Sequence, residues 1–296
     1  MDMRATPLCA KAMLVKLTIR RANLSRRDAA AETLIQQTLD DASLIVSSKL
    51  FRDKANPVNR IMSTAAEVYT YHKKHTLPWA DKGPRLLPNG LYFEYRDAMR
   101  HRIAQVDAML NEHMPHYDSY VSTDIACRSK SLGAASRAQV GDYPSAEQFR
   151  ERMGFDLRFS PLPDSQHFLF DLSAEDQAGF EQALTDARIG ARNDAVRRML
   201  EPTQHLVSRL NVPIGENGSI FRDSALTNVV EGIDLARKLT LDEDPDITAV
   251  TEELAKAVRK CVDGKELLRE SPATREAAVK KLEQLASQMS AFMVGV

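Results

Sequence analysis

The residues whose types and spacing could do chemistry are histidines and arginines in small groups. His113 and His116 sit in NEHMPHYD, with Glu112 and Asp118 close by. Ligands three apart share a helical face, but Pro115 lies between the two histidines and breaks that geometry, and no HExxH or paired cysteines accompany them. His72 and His75, in YHKKH, also share a face, yet two lysines separate them. A basic cluster at a helix C-terminus complements the dipole, which explains this group without a metal. No metal site and no cofactor is expected.

The signatures of covalent and phosphate chemistry are missing from the sequence. There is no GxSxG elbow to expose a serine nucleophile. PIGENGSI carries two glycines three apart but not the GxxxxGK[ST] run or its lysine. Asp40 and Asp41, and the acidic LDEDPD of Leu241 to Asp246, lack the spacing of a calcium loop, and the second reads as an acidic helix entrance. An enzyme would have to assemble its acids and bases from distant positions, so the expectation is a non-enzymatic protein.

Two basic groups could meet nucleic acid. KLTIRRANLSRR supplies Lys16, Arg20, Arg21, Arg26 and Arg27 as sequence-blind positive charge, whose binding would fall steeply with salt. A second group, Arg96, Arg100 and Arg102, follows Tyr92, Phe93 and Tyr95, whereas the first has no interleaved rings for stacking on single strands. The single tryptophan, Trp79, lies in KKHTLPWADKGPRLLPN. It reads as an anchor that pins this connector, or, if exposed, as a hot spot for a protein partner.

The elements that must position these residues are mostly helical. MLVKLTI, Met13 to Ile19, alternates with period two and reads as a half-buried strand. From Ser25, a plausible N-cap, Ala31, Leu34, Ile35, Leu39, Ala42, Ile45 and Val46 follow helical spacing, a helix of up to seven turns. Asn56-Pro57 opens the next, with Val58, Ile61, Met62, Ala65, Val68, Tyr69 and His72 on one stripe. Pro78 and Pro84 stop it, and another helix begins near Asn89 with Met99, Ile103, Val106 and Leu110 in register. The stretch holding Trp79 would then join two helices.

Patterning weakens past Pro115, and Asp124 to Pro144 is small, polar and glycine-containing, the best candidate for a linker or mobile loop. After a short helix at Ser145 to Met153, FDLRF and HFLFDL alternate around SPLPDSQ, the pattern of a β-hairpin. Ser173 and Asp176 resemble a capping box opening the longest helix, with a break or kink at Pro202 before a continuation to Leu210. Asp223 to Leu239, Asp246 to Val262 and Pro272 to about Met293 complete a helical bundle. The expected fold is therefore mainly α with a small antiparallel β-sheet (α+β), a helical bundle plus β-hairpin. Its organisation would be an N-terminal strand with helical hairpins over 1–123, a linker over 124–144, and the β-hairpin with the C-terminal bundle over 145–296.

The bulk numbers fit such a chain. Its 296 residues are 43% hydrophobic and 27% charged, enough for a sizeable core. No run reaches the roughly 18 apolar residues needed to span a bilayer, so no membrane partner and a cytoplasmic location are expected. Three singly spaced cysteines, Cys9, Cys127 and Cys261, argue against a disulfide framework. The net charge of −1 is unevenly spread: residues 1–60 hold 11 Lys/Arg against 6 Asp/Glu, and residues 212–296 hold 11 against 15. A basic start and an acidic end permit head-to-tail self-contacts.

The order of LLPNGLYFEYRDAMRHRIAQVDAML, FDLRFSPLPDSQHFLFDLS and IFRDSALTNVVEGIDLARKLTLDEDPDI resembles a family of uncharacterised, mostly helical proteins of tailed bacteriophages and bacteria. Members are often encoded near MoxR-type AAA ATPases and von Willebrand A-domain proteins. The resemblance covers roughly residues 13 to 290 and brings no catalytic residues. It implies a phage or bacterial accessory protein acting through protein association, as a homo-oligomer or as an adaptor for a MoxR-type AAA ATPase. The alternative expectation is a DNA- or RNA-binding protein of phage replication or recombination.

Overall fold

The computed structural model describes residues 8–28, 32–33, 35–36, 38, 45–79, 83–132, 138–162, 173–215, 222–241 and 244–293. It is mainly α with a small antiparallel β component, as expected. In chain order the elements are α1 (Leu8–Lys11), β1 (Ala12–Arg20), β2 (Ser25–Arg27), β3 (Ser47–Lys49), α2 (Pro57–Lys74), β4 (Arg85–Pro88), α3 (Tyr92–His113) and α4 (Tyr117–Leu132). They continue with α5 (Ala146–Arg152), β5 (Gly154–Pro161), α6 (Ala174–Leu210), α7 (Asp223–Leu239), α8 (Pro245–Asp263), α9 (Lys265–Glu270) and α10 (Pro272–Ala291).

The strands form a three-stranded sheet ordered β4-β1-β5 and a two-stranded pair, β2-β3. β1 runs antiparallel to β4, from Ala12 opposite Pro88 to Val15 opposite Arg85. β1 and β5 stand where the alternation placed them, but β4 comes from the stretch taken for a plain connector. Leu77 and Leu86 exchange both backbone hydrogen bonds, at 2.8 and 2.9 Å, which turns that stretch into a local hairpin. The expected second hairpin strand, HFLFDL, lies outside the described residues.

The expected helix from Ser25 needs correction at its start. Ser25–Arg27 is strand, paired with Ser47–Lys49, and helix is found only at the described positions 32–33, 35–36 and 38. The expected linker from Asp124 also needs correction. Asp124 to Leu132 continues α4, and Asp124 and Arg128 are buried at 4% and 3% exposure. An (i, i+4) carboxylate–guanidinium pair supports a helix, and here it faces inward, so a polar composition did not mean a solvent-exposed segment.

The chain divides into two compact units that interleave along the sequence instead of following one another. One comprises Met1–Lys16, His75–Tyr95 and Arg158–Val296; the other comprises Leu17–Lys74 and Arg96–Leu157.

The first unit is built on α6, α7, α8 and α10, whose apolar stripes share one core that includes Met199, Leu206, Val229, Ile233, Leu254, Val258, Leu282 and Leu285. Each such fully buried side chain contributes roughly 1.5–3 kcal/mol relative to an exposed one. The caps follow the sequence. Ser173 Oγ accepts from Asp176 N at 3.1 Å. Asp244 Oδ1 accepts from Asp246 N and Ile247 N, with Pro245 at the first helical position. Ser271 and Pro272 do the same for α10.

α6 runs through Pro202 without a break. Pro202 has no N–H to give to the carbonyl of Arg198, four residues earlier. Gly232 of α7 packs against that carbonyl so closely that a Cβ there would sit 2.5 Å from Arg198 O.

In the second unit α2 buries Val58, Ile61, Ala65, Val68 and His72, while Tyr69 on the expected stripe is 46% exposed. Asn56 caps this helix, its Oδ1 accepting from Val58 N at 2.9 Å. α4 and α5 add Tyr117, Val121 and Phe149, packed around Phe51.

Candidate functional site

The five basic residues singled out from the N-terminal sequence have different surroundings. Lys16 and Arg20 are exposed positions on β1. The Arg20 guanidinium lies across Gly154, where a Cβ would meet its Nη2 at 2.7 Å. Arg21 Nη2 donates to Ala65 O at 3.4 Å. Arg26 pairs with Asp142 at 2.9 Å, and Arg27 Nε lies 2.8 Å from Glu32. The Arg27 pairing raises the guanidinium's pKa and lowers that of Glu32, through their hydrogen bond first. Two of the five expected phosphate contacts thus spend their charge on a carboxylate. In the second basic group, Arg102 stacks on Tyr71 with 3.9 Å between its guanidinium carbon and the ring centroid, and Arg96 pairs with Asp97.

Trp79 is half-buried, between the anchor and the exposed hot spot. His113 Nδ1 lies 3.2 Å from the Tyr120 hydroxyl, and His116 is exposed. Among the described residues no group of three or more His, Cys, Asp or Glu is placed to hold a metal ion. Asp40 and Asp41 lie outside the described residues, as does most of PIGENGSI.

The structure brings together two features that the motifs did not. One, in the second unit, is a buried polar knot around Asp124. Its Oδ2 accepts from Phe51 N at 3.0 Å, from Arg128 Nε at 2.8 Å and from the Tyr143 hydroxyl at 2.6 Å. Its Oδ1 accepts from Arg52 N at 2.8 Å. Burial works to raise this carboxyl's pKa, but bonds from Tyr143, Arg128 and Arg52 outweigh it and hold the group below the usual carboxylate range. Tyr143 is pushed the other way, upward, by burial and by its bond to Asp124. Arg128 completes the knot by donating to Ser48 Oγ at 3.2 Å and to Lys49 O.

The knot fixes an unusual turn. Phe51 has φ of +51°, a left-handed conformation that is strained for a bulky side chain and persists only where its surroundings over-determine it. Asp124 holds its N–H, Asn59 Nδ2 donates to its carbonyl at 2.5 Å, and its ring meets those of Tyr117 and Tyr143 edge-on at 5.7 and 5.2 Å. Beside this turn is a recess of about 110 Å³ lined by Arg52, Asp53, Asn56, Thr123, Asp124, Cys127 and Arg128.

The other feature, in the first unit, is a chain of aromatic rings. Tyr95, 1% exposed, meets Phe159 edge-on at 6.2 Å; Phe159 meets Tyr92 at 5.1 Å; Tyr92 meets Phe93 at 5.1 Å. Phe93, at the outer end, is 66% exposed. Next to it, Glu94 accepts from Lys238 Nζ at 2.8 Å. The sequence showed these rings only as neighbours of a basic cluster. Their order from interior to surface depends on Phe159, which no local spacing connects to them.

Comparison with protein-family models, with curated proteins and with solved structures finds no match. The fold and these two features therefore define the chain only as a mainly helical α+β protein with a helical bundle and a small sheet. Among the described residues no helix is long and apolar enough to cross a membrane.

Proposed function

We propose that the chain is a non-enzymatic, cytoplasmic accessory protein of phage or bacterial origin that works by binding another protein. Phe93 carries this reading. An aromatic side chain two-thirds exposed, held by edge contacts to Tyr92 and flanked by the Glu94–Lys238 ion pair, has the composition of an interface anchor with a charged rim. Little side-chain entropy is lost when it binds, because the ring already rests on its neighbour. The partner is a second copy of this chain or an ATPase of the MoxR type, in keeping with the family resemblance.

The test is capture of partners on the tagged protein from bacterial cells, with and without nuclease, and with Phe93→Ser beside the wild type. Recovery that survives nuclease and is lost with F93S supports binding through Phe93. Recovery that collapses with nuclease and ignores F93S would shift the function to nucleic acid.

A further inference from the structure

The recess beside the Phe51 turn has a built polar lining that nothing inside the protein uses. Asn56 is only 8% exposed, and its Oδ1 is committed to capping α2. Its Nδ2 lines the same recess with no hydrogen-bond partner among the described residues. A buried amide donor left without a partner costs free energy, so it is found where something external completes it. Asp53 lies on the same lining, with Oδ1 accepting from Ala55 N at 2.9 Å and Oδ2 left over. Thr123 donates to Ser119 O and keeps its acceptor capacity. Arg52 adds a guanidinium without a side-chain partner among the described residues.

Charge and volume narrow the occupant. The recess holds two arginines and two aspartates, so their formal charges cancel and neither an anion nor a cation is favoured overall. The strongest pair, Asp124 and Arg128, is already closed on itself. What remains is one neutral donor, Asn56 Nδ2, facing acceptors on Asp53 and Thr123. The volume is about 110 Å³, room for three or four waters at about 30 Å³ each. That is well short of the roughly 300 Å³ at which ordinary ligand pockets begin. One amide group fits both limits, since its carbonyl accepts from Asn56 and its N–H donates to Asp53 or Thr123.

We infer that this recess binds a single amide group of a partner protein, with Asn56 Nδ2 as the donor that reads its carbonyl. The strained Phe51 turn, pinned by Asp124, holds Arg52, Asp53 and Asn56 around it. The inference deepens the protein-association reading by naming the chemistry of one contact, and it rests on that reading only for the source of the amide. A peptide bond and an Asn or Gln side chain present the same group.

Cys127 lines the recess and is exposed, so small thiols can be captured on it by disulfide exchange and compared. The probes are N-acetylcysteamine (a secondary amide, peptide-like), 3-mercaptopropionamide (a primary amide, Asn- or Gln-like), 4-mercaptobutanoate, 3-aminopropanethiol and butanethiol. Each capture at Cys127 is measured by peptide mass and referenced to the same thiol on the urea-unfolded chain. The expected result is that at least one amide is captured about tenfold more than butanethiol, the value of one hydrogen bond, with the acid and the amine below it. Whichever amide leads identifies the source.

Asn56→Asp keeps the capping oxygen and removes the donor, so in that variant the preference should disappear. Equal capture of all five, or a lead for the acid or the amine, would overturn the inference on the wild type alone. An amide preference that persists in folded N56D would remove Asn56 from the role. Because no partner enters this experiment, its failure is separable from failure of the Phe93 reading.

Discussion

Phe93 meets Tyr92 edge-on with 5.1 Å between ring centroids, and through Tyr92 and Phe159 an exposed ring is joined to the interior at Tyr95. Such edge-to-face pairs are worth about 0.5–1.5 kcal/mol beyond their buried area. Phe93→Ser should therefore cost no more than about 1 kcal/mol in urea unfolding, since the lost ring is mostly in water. Tyr92→Ala, lower in the same stack, should cost more. The reverse order would mean that Phe93 is a structural side chain and not a presented one.

Asp124 should dominate the stability of the second unit. Asp124→Asn leaves the Arg128 guanidinium, 3% exposed, without its counter-charge, and breaking a buried pair in this way costs about 3–5 kcal/mol. Tyr143→Phe removes one charge-assisted bond and should cost about 1.5–3 kcal/mol. Measured by denaturant midpoints, a loss under 1 kcal/mol for D124N would contradict the knot.

The same carboxylate sets an acid dependence. Its folded pKa is depressed, so its stabilisation is present above the unfolded-chain value near 4 and fades as pH falls toward and through the lower folded value. Between about pH 5 and pH 2 the wild type should lose more stability than D124N does. Parallel curves for the two proteins would show that Asp124 is not the titrating group.

Two glycines in helices should respond oppositely to alanine. Gly190 in α6 has open space around a Cβ, so Gly190→Ala should gain up to about 1 kcal/mol from helix propensity. At Gly232 a Cβ would sit 2.5 Å from Arg198 O, and α6 and α7 must part to admit it, at a net cost of about 1–3 kcal/mol. Thermal midpoints of the two variants moving in the same direction would refute the close approach.

The thiols should separate by accessibility. Cys127 is exposed, whereas Cys261 is buried and its pKa raised by that burial. Iodoacetamide at pH 8 should modify Cys127 well before Cys261, which reacts only as the bundle opens. Equal rates by peptide mass would place Cys261 at the surface.

Much of the helical bundle was legible because its signals are local. Asp223 to Leu239 was read to the residue, and Ser173, Asn56 and Pro272 mark helix starts through capping that depends on neighbours a few positions away. β4 was hidden because its pairing with Ala12–Val15 spans more than 70 positions and its Leu86-Leu87 pair lies in a proline-rich stretch. Asp124 and Arg128 were mistaken for linker because their composition is polar; only the convergence of Phe51, Arg52 and Tyr143 makes them interior. The Phe51 turn carries no glycine to announce its positive φ. Asn56 was read as a cap, and its second, unpartnered atom becomes visible only beside Asp53 and Thr123 in the recess.

Binding of a protein partner through Phe93 is tested most directly by native capture from bacterial cells on tagged wild type and F93S, each with and without nuclease and quantified by mass spectrometry. The expected result is a retained protein, this chain itself or an ATPase, whose recovery is indifferent to nuclease and falls at least tenfold with F93S. Recovery unchanged by F93S, or abolished by nuclease, would contradict it.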